Sequence, residues 1–83
     1  MSHAPADLTI EVFWTPHCSS CMAVKQFLDD RGVAYRSVNV LEDTTAMTRL
    51  AALGVRTVPV VVRGNRFIFA QYLRDVSSFL ELD

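Results

Sequence analysis

The order of strand-like and helix-like segments most constrains how this chain can fold. A β-type segment at residues 8–14 precedes a helical pattern at 18–31, and a second β-type segment at 33–40 precedes a short helical pattern at 46–53. Two strands joined through a helix run parallel, because tight turns connect only antiparallel strands. The first half of the chain is therefore predicted to form a parallel β-α-β unit followed by a second helix.

The second half of the chain predicts an antiparallel hairpin and a closing helix. Residues 57–62 are β-branched and apolar, and a further strand pattern covers 66–69. Gly64 and Asn65 between them both tolerate positive φ, which favours a two-residue hairpin turn. The last helical pattern covers 75–82. The expected order is thus β-α-β-α-β-β-α, an α/β fold with a mixed sheet of four strands and three helices.

Length and composition allow one compact domain. The chain has 83 residues, of which 51% are hydrophobic and 20% charged, and this balance is typical of globular proteins. A second hydrophobic core would have too few residues left to bury. Residues 1–7 are mostly small or polar and contain proline. We therefore expect a flexible N-terminal tail at 1–7 and a folded domain at 8–83.

Charge and hydropathy argue against several functional classes. The net charge is −1, so the chain lacks the basic excess that binds nucleic acid or anionic membranes. The longest strongly apolar stretch, 58–62, is far shorter than the ~20 residues that span a bilayer. The N-terminus has no basic start followed by an apolar segment, so no signal peptide is predicted. We expect a cytoplasmic protein with neither nucleic acid nor membrane as a partner.

The strongest chemical signal is the cysteine pair, Cys18 and Cys21. Cys18 lies at the start of the first helical pattern, where free backbone N–H groups and the helix dipole favour a thiolate. The thiolate is the attacking species in disulfide exchange. Cys21 lies one turn later on an apolar stripe with Val24 and Leu28, so it is predicted to be the shielded, resolving thiol. This arrangement predicts a dithiol–disulfide oxidoreductase.

Other uses of two cysteines remain open. They can be small apolar core residues, or they can bind a soft metal ion. A structural zinc site would need further ligands, and the remaining candidates are His3, in the expected tail, and His17. Two thiolates alone are enough for copper(I), so a small copper(I) carrier is one alternative. A redox-inactive interaction module is another, and no further metal site is predicted.

Several residues near the cysteines have two interpretations. His17 directly precedes Cys18 and either stabilises its thiolate as an imidazolium or is an exposed loop residue. Trp14 either belongs to the core or lines a substrate groove, and the same choice applies to Tyr72. Three arginines are interpreted as solvated surface charges, any one of which would suit a substrate carboxylate: Arg49, Arg56 and Arg63.

A proline occurs where the third strand is expected to begin, in the run Thr57-Val58-Pro59. Proline has no N–H to donate to a strand ladder, so it is normally confined to sheet edges or bulges. One interpretation is therefore an edge strand. The other is a cis peptide bond between Val58 and Pro59, a form found at only about 5% of X-Pro bonds in folded proteins.

Taken together, these motifs resemble the glutaredoxin family within the thioredoxin superfamily. The similarity covers almost all of residues 8–82 and is carried by four features: the C-x-x-C pair, Gly32-Val33-Ala34-Tyr35, Arg56-Thr57-Val58-Pro59, and the hairpin at Gly64-Asn65. The resemblance implies a thioredoxin-like fold. It also implies that Cys18 is the nucleophile, that Cys21 is the resolving thiol and that Pro59 is cis.

The resemblance also suggests where substrates bind and which molecules they are. The backbone of Val58 would pair with the bound substrate as a short added strand, and five residues are expected to contact the substrate: Pro16, His17, Thr57, Val58 and Pro59. The expected substrates are a disulfide-containing protein or a low-molecular-weight thiol. A reductase is a further expected partner, and the protein is expected to be a monomer.

Departures from the family pattern bear on the reductant. The stretch 69–75 lacks the glycine pair that usually precedes the last helix and holds glutathione, and only Asp75 stands in for the acidic residues. The run 13–18 instead looks like the approach to a thioredoxin active site. Ser19 and Ser20 match neither family's common dipeptide. No tightly bound cofactor is expected, and the exchangeable electron donor is either glutathione or a reductase of the thioredoxin-reductase type, as for the small redoxins that serve ribonucleotide reductase.

Overall fold

A computed structural model describes residues 9–82 of the chain. It has seven elements in the following order: strand β1 (Ile10–Trp14), helix α1 (Ser19–Asp30), strand β2 (Arg36–Asn39), helix α2 (Thr44–Ala52), strand β3 (Val60–Arg63), strand β4 (Arg66–Phe69) and helix α3 (Leu73–Leu80). The predicted order β-α-β-α-β-β-α is confirmed. The expected tail at 1–7 lies outside the described residues.

The strands form one mixed sheet in the order β2-β1-β3-β4. β1 is parallel to β2 and antiparallel to β3, and β3 pairs with β4 as an antiparallel hairpin. Both predicted pairings are therefore confirmed. Phe13 near the end of β1 pairs with Val60 at the start of β3. The loop after β1 and the segment before β3 therefore meet at the same end of the two central strands.

Alternate residues of the central strands supply two separate cores. On one face, Val12 and Val61 pack with residues of α1 and α3, chiefly Val24, Leu28 and Val76. This packing follows from the two-residue period of a strand and the apolar stripes of the helices. Helix α1 is thereby packed against the sheet through the stripe that also carries Cys21.

The other face of the sheet is covered by α2. Phe13 and Val60 are fully buried there and pack with Ala46 and Leu50 of α2. Asp43 caps this helix, because its carboxylate accepts a hydrogen bond from the Ala46 N–H at 3.1 Å. The sequence pattern, which started the helix at residue 46, placed its beginning two residues too late.

The third strand begins later than its sequence predicts. Thr57 and Val58 form a bend, and the ladder starts at Val60. The reason is Pro59, which has no N–H for the ladder. The Val58–Pro59 peptide bond is cis, as the resemblance implied. The edge-strand alternative is wrong because β3 has a neighbour on each side.

Two further differences concern strand and helix ends. β2 is limited to Arg36–Asn39, shorter than the apolar pattern suggested. Helix α3 begins at Leu73 and ends at Leu80, where Glu81 takes a positive φ of 59° and the Leu82 N–H donates to the Ser77 carbonyl at 2.9 Å. That hydrogen bond closes the helix end, so Leu82 packs against the core from outside the helix.

Candidate functional site

The cysteine pair lies where β1 leads into α1. Pro16 and His17 form the turn between β1 and α1, and the Cys18 N–H donates a hydrogen bond to the Thr15 carbonyl at 3.3 Å. Cys18 occupies the N-cap position of α1, with extended backbone angles of φ −109° and ψ 105°. The first cysteine is therefore located at the end of a helix whose N–H groups have no partners within the helix.

The two cysteines are joined in a disulfide, with their Cα atoms 5.2 Å apart. The Cys21 N–H donates a hydrogen bond to the Cys18 sulfur over 3.1 Å. When the pair is reduced, this N–H and the helix dipole both stabilise the negatively charged thiolate form of Cys18 relative to its neutral thiol form. The local geometry thus favours a Cys18 thiolate.

The cysteines differ in exposure. Cys21 is completely buried, on the same stripe as Val24 and Leu28, as its spacing predicts. Cys18 is partly exposed at the helix start. An external disulfide can therefore reach the sulfur of Cys18, while the sulfur of Cys21 is accessible only from Cys18.

The bend before β3 lies directly beside the first cysteine. The Cys18 sulfur is 4.0 Å from the carbonyl oxygen of Val58. Pro59 is buried, and its carbonyl accepts a hydrogen bond from the Ala70 N–H at 2.9 Å. Thr57 is exposed, and its hydroxyl donates to the Val58 carbonyl at 3.4 Å. The fold therefore brings Thr57, Val58 and Pro59 together with Cys18 across the gap between two loops.

Pro16 and His17 are exposed on the loop that leads into Cys18. Within residues 9–82, the imidazole of His17 has no hydrogen-bond or ion-pair partner. The structure therefore has His17 as an exposed loop residue next to the site, without a contact that fixes its ring against the sulfur.

The aromatic residues near the site are divided between core and surface. Phe13 is fully buried, whereas Trp14 is half-buried under the ammonium of Lys25, which is 3.7 Å from the ring centroid. The indole N–H of Trp14 is buried without a partner among the described residues. Tyr72 is exposed at the N-cap of α3, with the guanidinium of Arg74 5.3 Å from its ring.

An ion pair between a buried carboxylate and a partly exposed guanidinium lies on the α2 face, away from the cysteines. Glu11 of β1 accepts two hydrogen bonds from Arg49, at 3.0 and 2.6 Å, and Arg36 is 3.7 Å away. The hydrogen bonds from Arg49 lower the pKa of Glu11 despite its burial, and they raise the pKa of Arg49.

Arg49 is exposed at the surface, as interpreted from the sequence, but its charge is paired with Glu11 and is not a free charge. An acidic residue within an apolar central strand was the sequence signal for such a pair, because a buried carboxylate needs a cation. Elsewhere in residues 9–82, no three His, Cys, Asp and Glu side chains meet in a way that would hold a metal ion. No helix in this range has the length and apolar character needed to cross a bilayer.

Comparison with known proteins identifies relatives of this arrangement. The glutaredoxin family model matches residues 10–68. A curated relative, the hybrid peroxiredoxin hyPrx5 of Haemophilus influenzae, is 33% identical over 60 residues. That alignment includes 72% of this chain but only 25% of the relative, so the chain spans about a quarter of that protein's length.

Two solved structures share the fold over nearly their whole length. A mutant form of the thioredoxin-like protein BC3987 is 29% identical with a TM-score of 0.84, covering 90% of this chain and 97% of that one. The glutaredoxin-like protein NrdH-redoxin from Escherichia coli is 25% identical with a TM-score of 0.77, covering 86% and 93%. The chain thus belongs to the glutaredoxin family, and its cysteine pair at the start of α1 lies at disulfide distance, an arrangement that supports thiol–disulfide redox chemistry.

Proposed function

We propose that this protein is a dithiol–disulfide oxidoreductase that reduces disulfides in proteins or small molecules. One observation carries the proposal: the Cys18 sulfur caps helix α1 by accepting a hydrogen bond from the Cys21 N–H, while Cys21 itself is buried. Helix-terminal stabilisation makes Cys18 the attacking thiolate. Burial shields Cys21 from external disulfides until Cys18 has reacted.

The proposed reaction has two exchange steps. The Cys18 thiolate attacks one sulfur of the substrate disulfide, forming a mixed disulfide and releasing the other sulfur as a thiolate. Cys21 then loses its proton and attacks the Cys18 sulfur. The substrate leaves as a thiol, the protein has given two electrons to the two substrate sulfurs, and the Cys18–Cys21 disulfide is the oxidised form that remains. A reductant reverses that last oxidation by supplying two electrons and two protons.

The substrate segment is proposed to lie in the gap between two loops, contacting Pro16 and His17 on one side and Thr57, Val58 and Pro59 on the other. The Val58 N–H has no acceptor within residues 9–82, and its carbonyl is 4.0 Å from the attacking sulfur. An extended chain added here can use both backbone groups, which is how strand addition gives affinity.

We propose a flavoprotein of the thioredoxin-reductase type as the reductant, with glutathione as the weaker donor. The stretch 69–75, which corresponds to the usual glycine pair and the acidic residues after it, has no glycine, and Ala70 within it is buried. Tyr72 provides no side-chain cap for α3. NrdH-redoxin, which has the same fold, is a glutaredoxin-like protein with a thioredoxin-like activity profile. The protein is proposed to act as a monomer in the cytoplasm.

Cysteine variants test the assignment of roles. Cys21→Ser should accumulate a stable mixed disulfide between Cys18 and a disulfide substrate, detected by mass spectrometry without reducing agent. Cys18→Ser should leave the substrate unmodified. Rapid substrate reduction by the Cys18→Ser variant would contradict the proposed order of attack.

Equilibrium measurements separate the redox proposal from the metal-carrier alternative. The wild-type protein is equilibrated in a series of glutathione redox buffers and its thiols are trapped. The fractions of the dithiol and disulfide forms are then measured by mass spectrometry. Interconversion within the physiological range supports the proposal and gives the potential. Thiols that stay reduced throughout, combined with tight copper(I) binding under reducing conditions, would replace it. Turnover with NADPH and either thioredoxin reductase or glutathione plus glutathione reductase identifies the donor.

A further inference from the structure

An apolar groove of about 370 Å³ opens beside the bend before β3, on the side of α2. Its lining comes from four parts of the chain and includes Thr15, Leu41, Met47, Leu50, Arg56 and Val58. Val58 thus belongs both to the groove and to the surroundings of Cys18, whose sulfur is 4.0 Å from the Val58 carbonyl. A chain that reaches Cys18 at this bend passes the mouth of the groove.

Two large apolar side chains of the groove are exposed to solvent. Leu41 is 64% exposed and Met47 is 54% exposed. Single exposed apolar residues are common on protein surfaces, but a cluster within a groove is characteristic of a binding site. Methionine also adapts its flexible side chain to different apolar partners. The groove is therefore suited to an apolar side chain from another molecule.

Among the residues that the structure describes, the groove lining has one formal charge, that of Arg56. Two other arginines, Arg36 and Arg49, share the carboxylate of Glu11. Arg56 is exposed and has no carboxylate partner within residues 9–82. A guanidinium without a partner at the edge of an apolar groove attracts a carboxylate, with which it can form paired hydrogen bonds. The complementary occupant therefore carries a negative charge next to its apolar side chain.

An extended segment can fill the groove and present its cysteine at the same time. Alternate side chains of a strand point to the same side, and each residue advances the chain by about 3.3 Å. A side chain two residues from the substrate cysteine therefore reaches a surface about 7 Å from Cys18 while pointing towards the protein. The groove beside Val58 is in the right place for that side chain.

We propose that the groove selects protein substrates whose disulfide cysteine lies in an extended segment with a large apolar residue two positions away and an acidic residue next to it. The apolar side chain enters between Leu41 and Met47, and the carboxylate pairs with Arg56. This inference rests on the proposed function, because it defines which disulfides that function prefers. It predicts discrimination among substrates with the same disulfide chemistry.

Short synthetic peptides test the preference directly. Each contains one cysteine held in a disulfide with 2-mercaptoethanol. One peptide has Leu two positions from the cysteine on both sides with Glu beside each Leu; a second replaces both Glu by Lys, and a third replaces both Leu by Ser. The reduced, full-length protein is mixed with each peptide, and the second-order rate constant for peptide reduction is measured in a single turnover. We expect the Leu/Glu peptide to react about tenfold faster than either of the others.

Variants assign the preference to the groove. Arg56→Glu should reverse the ratio between the Glu and Lys peptides, and Met47→Ser should reduce the ratio between the Leu and Ser peptides severalfold. The matched charge-reversal control is Arg66→Glu, at the hairpin end opposite the cysteines, because Arg66 pairs with Arg63 and Arg63 with Ile10. It should keep the wild-type ratios. Circular dichroism establishes that each variant is folded.

Reduction of the uncharged hydroxyethyl disulfide separates this inference from the proposed function. If the wild-type protein reduces that compound but treats all three peptides alike, the groove is not a specificity site and the inference is wrong. If it reduces neither compound nor peptide, the proposed function itself fails. Self-association that Leu41→Ser abolishes, seen as a concentration-dependent sedimentation coefficient, would assign the groove to a second copy of this chain and also overturn the inference.

Discussion

The two faces of the sheet are covered in different ways. Helices α1 and α3 pack side by side on one face, where Val12, Val24 and Val76 are at most 1% exposed. Helix α2 alone packs on the other face. There Phe67 and Phe69 of β4 remain 36% and 43% exposed, because one helix is too narrow to cover every strand.

The two faces differ in what they contribute: one supports the disulfide, and the other is proposed to recognise substrates. Cys21 is fully buried on the stripe of α1 that also carries Val24 and Leu28, so the disulfide is attached to the close-packed two-helix face. The groove with Leu41 and Met47 opens on the one-helix face. The chemistry is thus anchored where packing is complete, and recognition is proposed where packing leaves apolar surface open. If this division is correct, the loss in free energy of unfolding should be largest for truncations in the two-helix core and smallest for residues of the open groove.

Core truncations should cost more on the two-helix face. Leu28→Ala should lower the free energy of unfolding by about 3–4 kcal/mol, and Leu50→Ala by about 2–3 kcal/mol. Leu28 is enclosed between the sheet and two helices, so its cavity cannot collapse, whereas α2 can shift into the space left by Leu50. Urea unfolding of the oxidised protein measures both. A larger loss for Leu50→Ala would contradict the comparison.

The one-helix face should depend on its ion pair. Glu11→Gln should lower the free energy of unfolding by about 2 kcal/mol, because charge-assisted hydrogen bonds to Arg49 are lost inside the protein. Arg36→Gln is the matched control and should cost less than about 0.5 kcal/mol, since Arg36 is 3.7 Å from the carboxylate and largely exposed. Equal losses from the two variants would show that the pairing with Arg49 is not the stabilising contact.

The same ion pair gives a pH-dependent stability. The folded-state pKa of Glu11 is held below its ordinary value of 4.5, so the stabilisation is complete above pH 4.5 and is lost as the pH falls through the lowered pKa. The stability difference between wild type and Glu11→Gln should therefore shrink in acid. Urea unfolding at several pH values between neutral and strongly acidic measures this difference, and a constant difference would exclude the linkage.

The start of α2 should contribute a smaller amount. Asp43→Ala removes the carboxylate that accepts the Ala46 N–H at 3.1 Å, and we expect a loss of about 1 kcal/mol. Asp43→Asn keeps an acceptor oxygen and should retain most of the stability. Thermal and urea unfolding of the two variants check the effect. A loss from Asp43→Asn as large as that from Asp43→Ala would indicate that charge, not the cap, matters.

The smallest effect is expected in the open groove. Leu41→Ser should change the free energy of unfolding by less than about 0.5 kcal/mol, because the side chain is 64% exposed and contributes little to the core. Urea unfolding checks this value alongside Leu50→Ala, whose side chain lies beneath the same groove. A loss above about 1 kcal/mol would mean that Leu41 serves the fold and is not free to bind a partner.

Local sequence patterns were sufficient for the order of elements and the pairing of the strands. Strand and helix periodicities differ, and connection length decides whether neighbouring strands are parallel, so each inference needed only nearby residues. The burial of Cys21 followed for the same reason, from its spacing to Val24 and Leu28 on one helix. The exact start of β3 did not follow, because an apolar run looks like a strand until the proline removes its N–H from the ladder.

Contacts between distant residues were decided by the tertiary structure alone. Glu11 and Arg49 are 38 positions apart. Nothing in the sequence near Arg49 distinguishes it from Arg56, which has no carboxylate partner within residues 9–82. The groove likewise combines the β1–α1 loop with α2 and the bend before β3. The cysteine pair at a helix start and the mixed sheet could be predicted from the amino-acid order, because both depend on local periodicity. Packing decided which arginine is neutralised and which surface stays open, because both depend on how elements far apart in the chain approach each other.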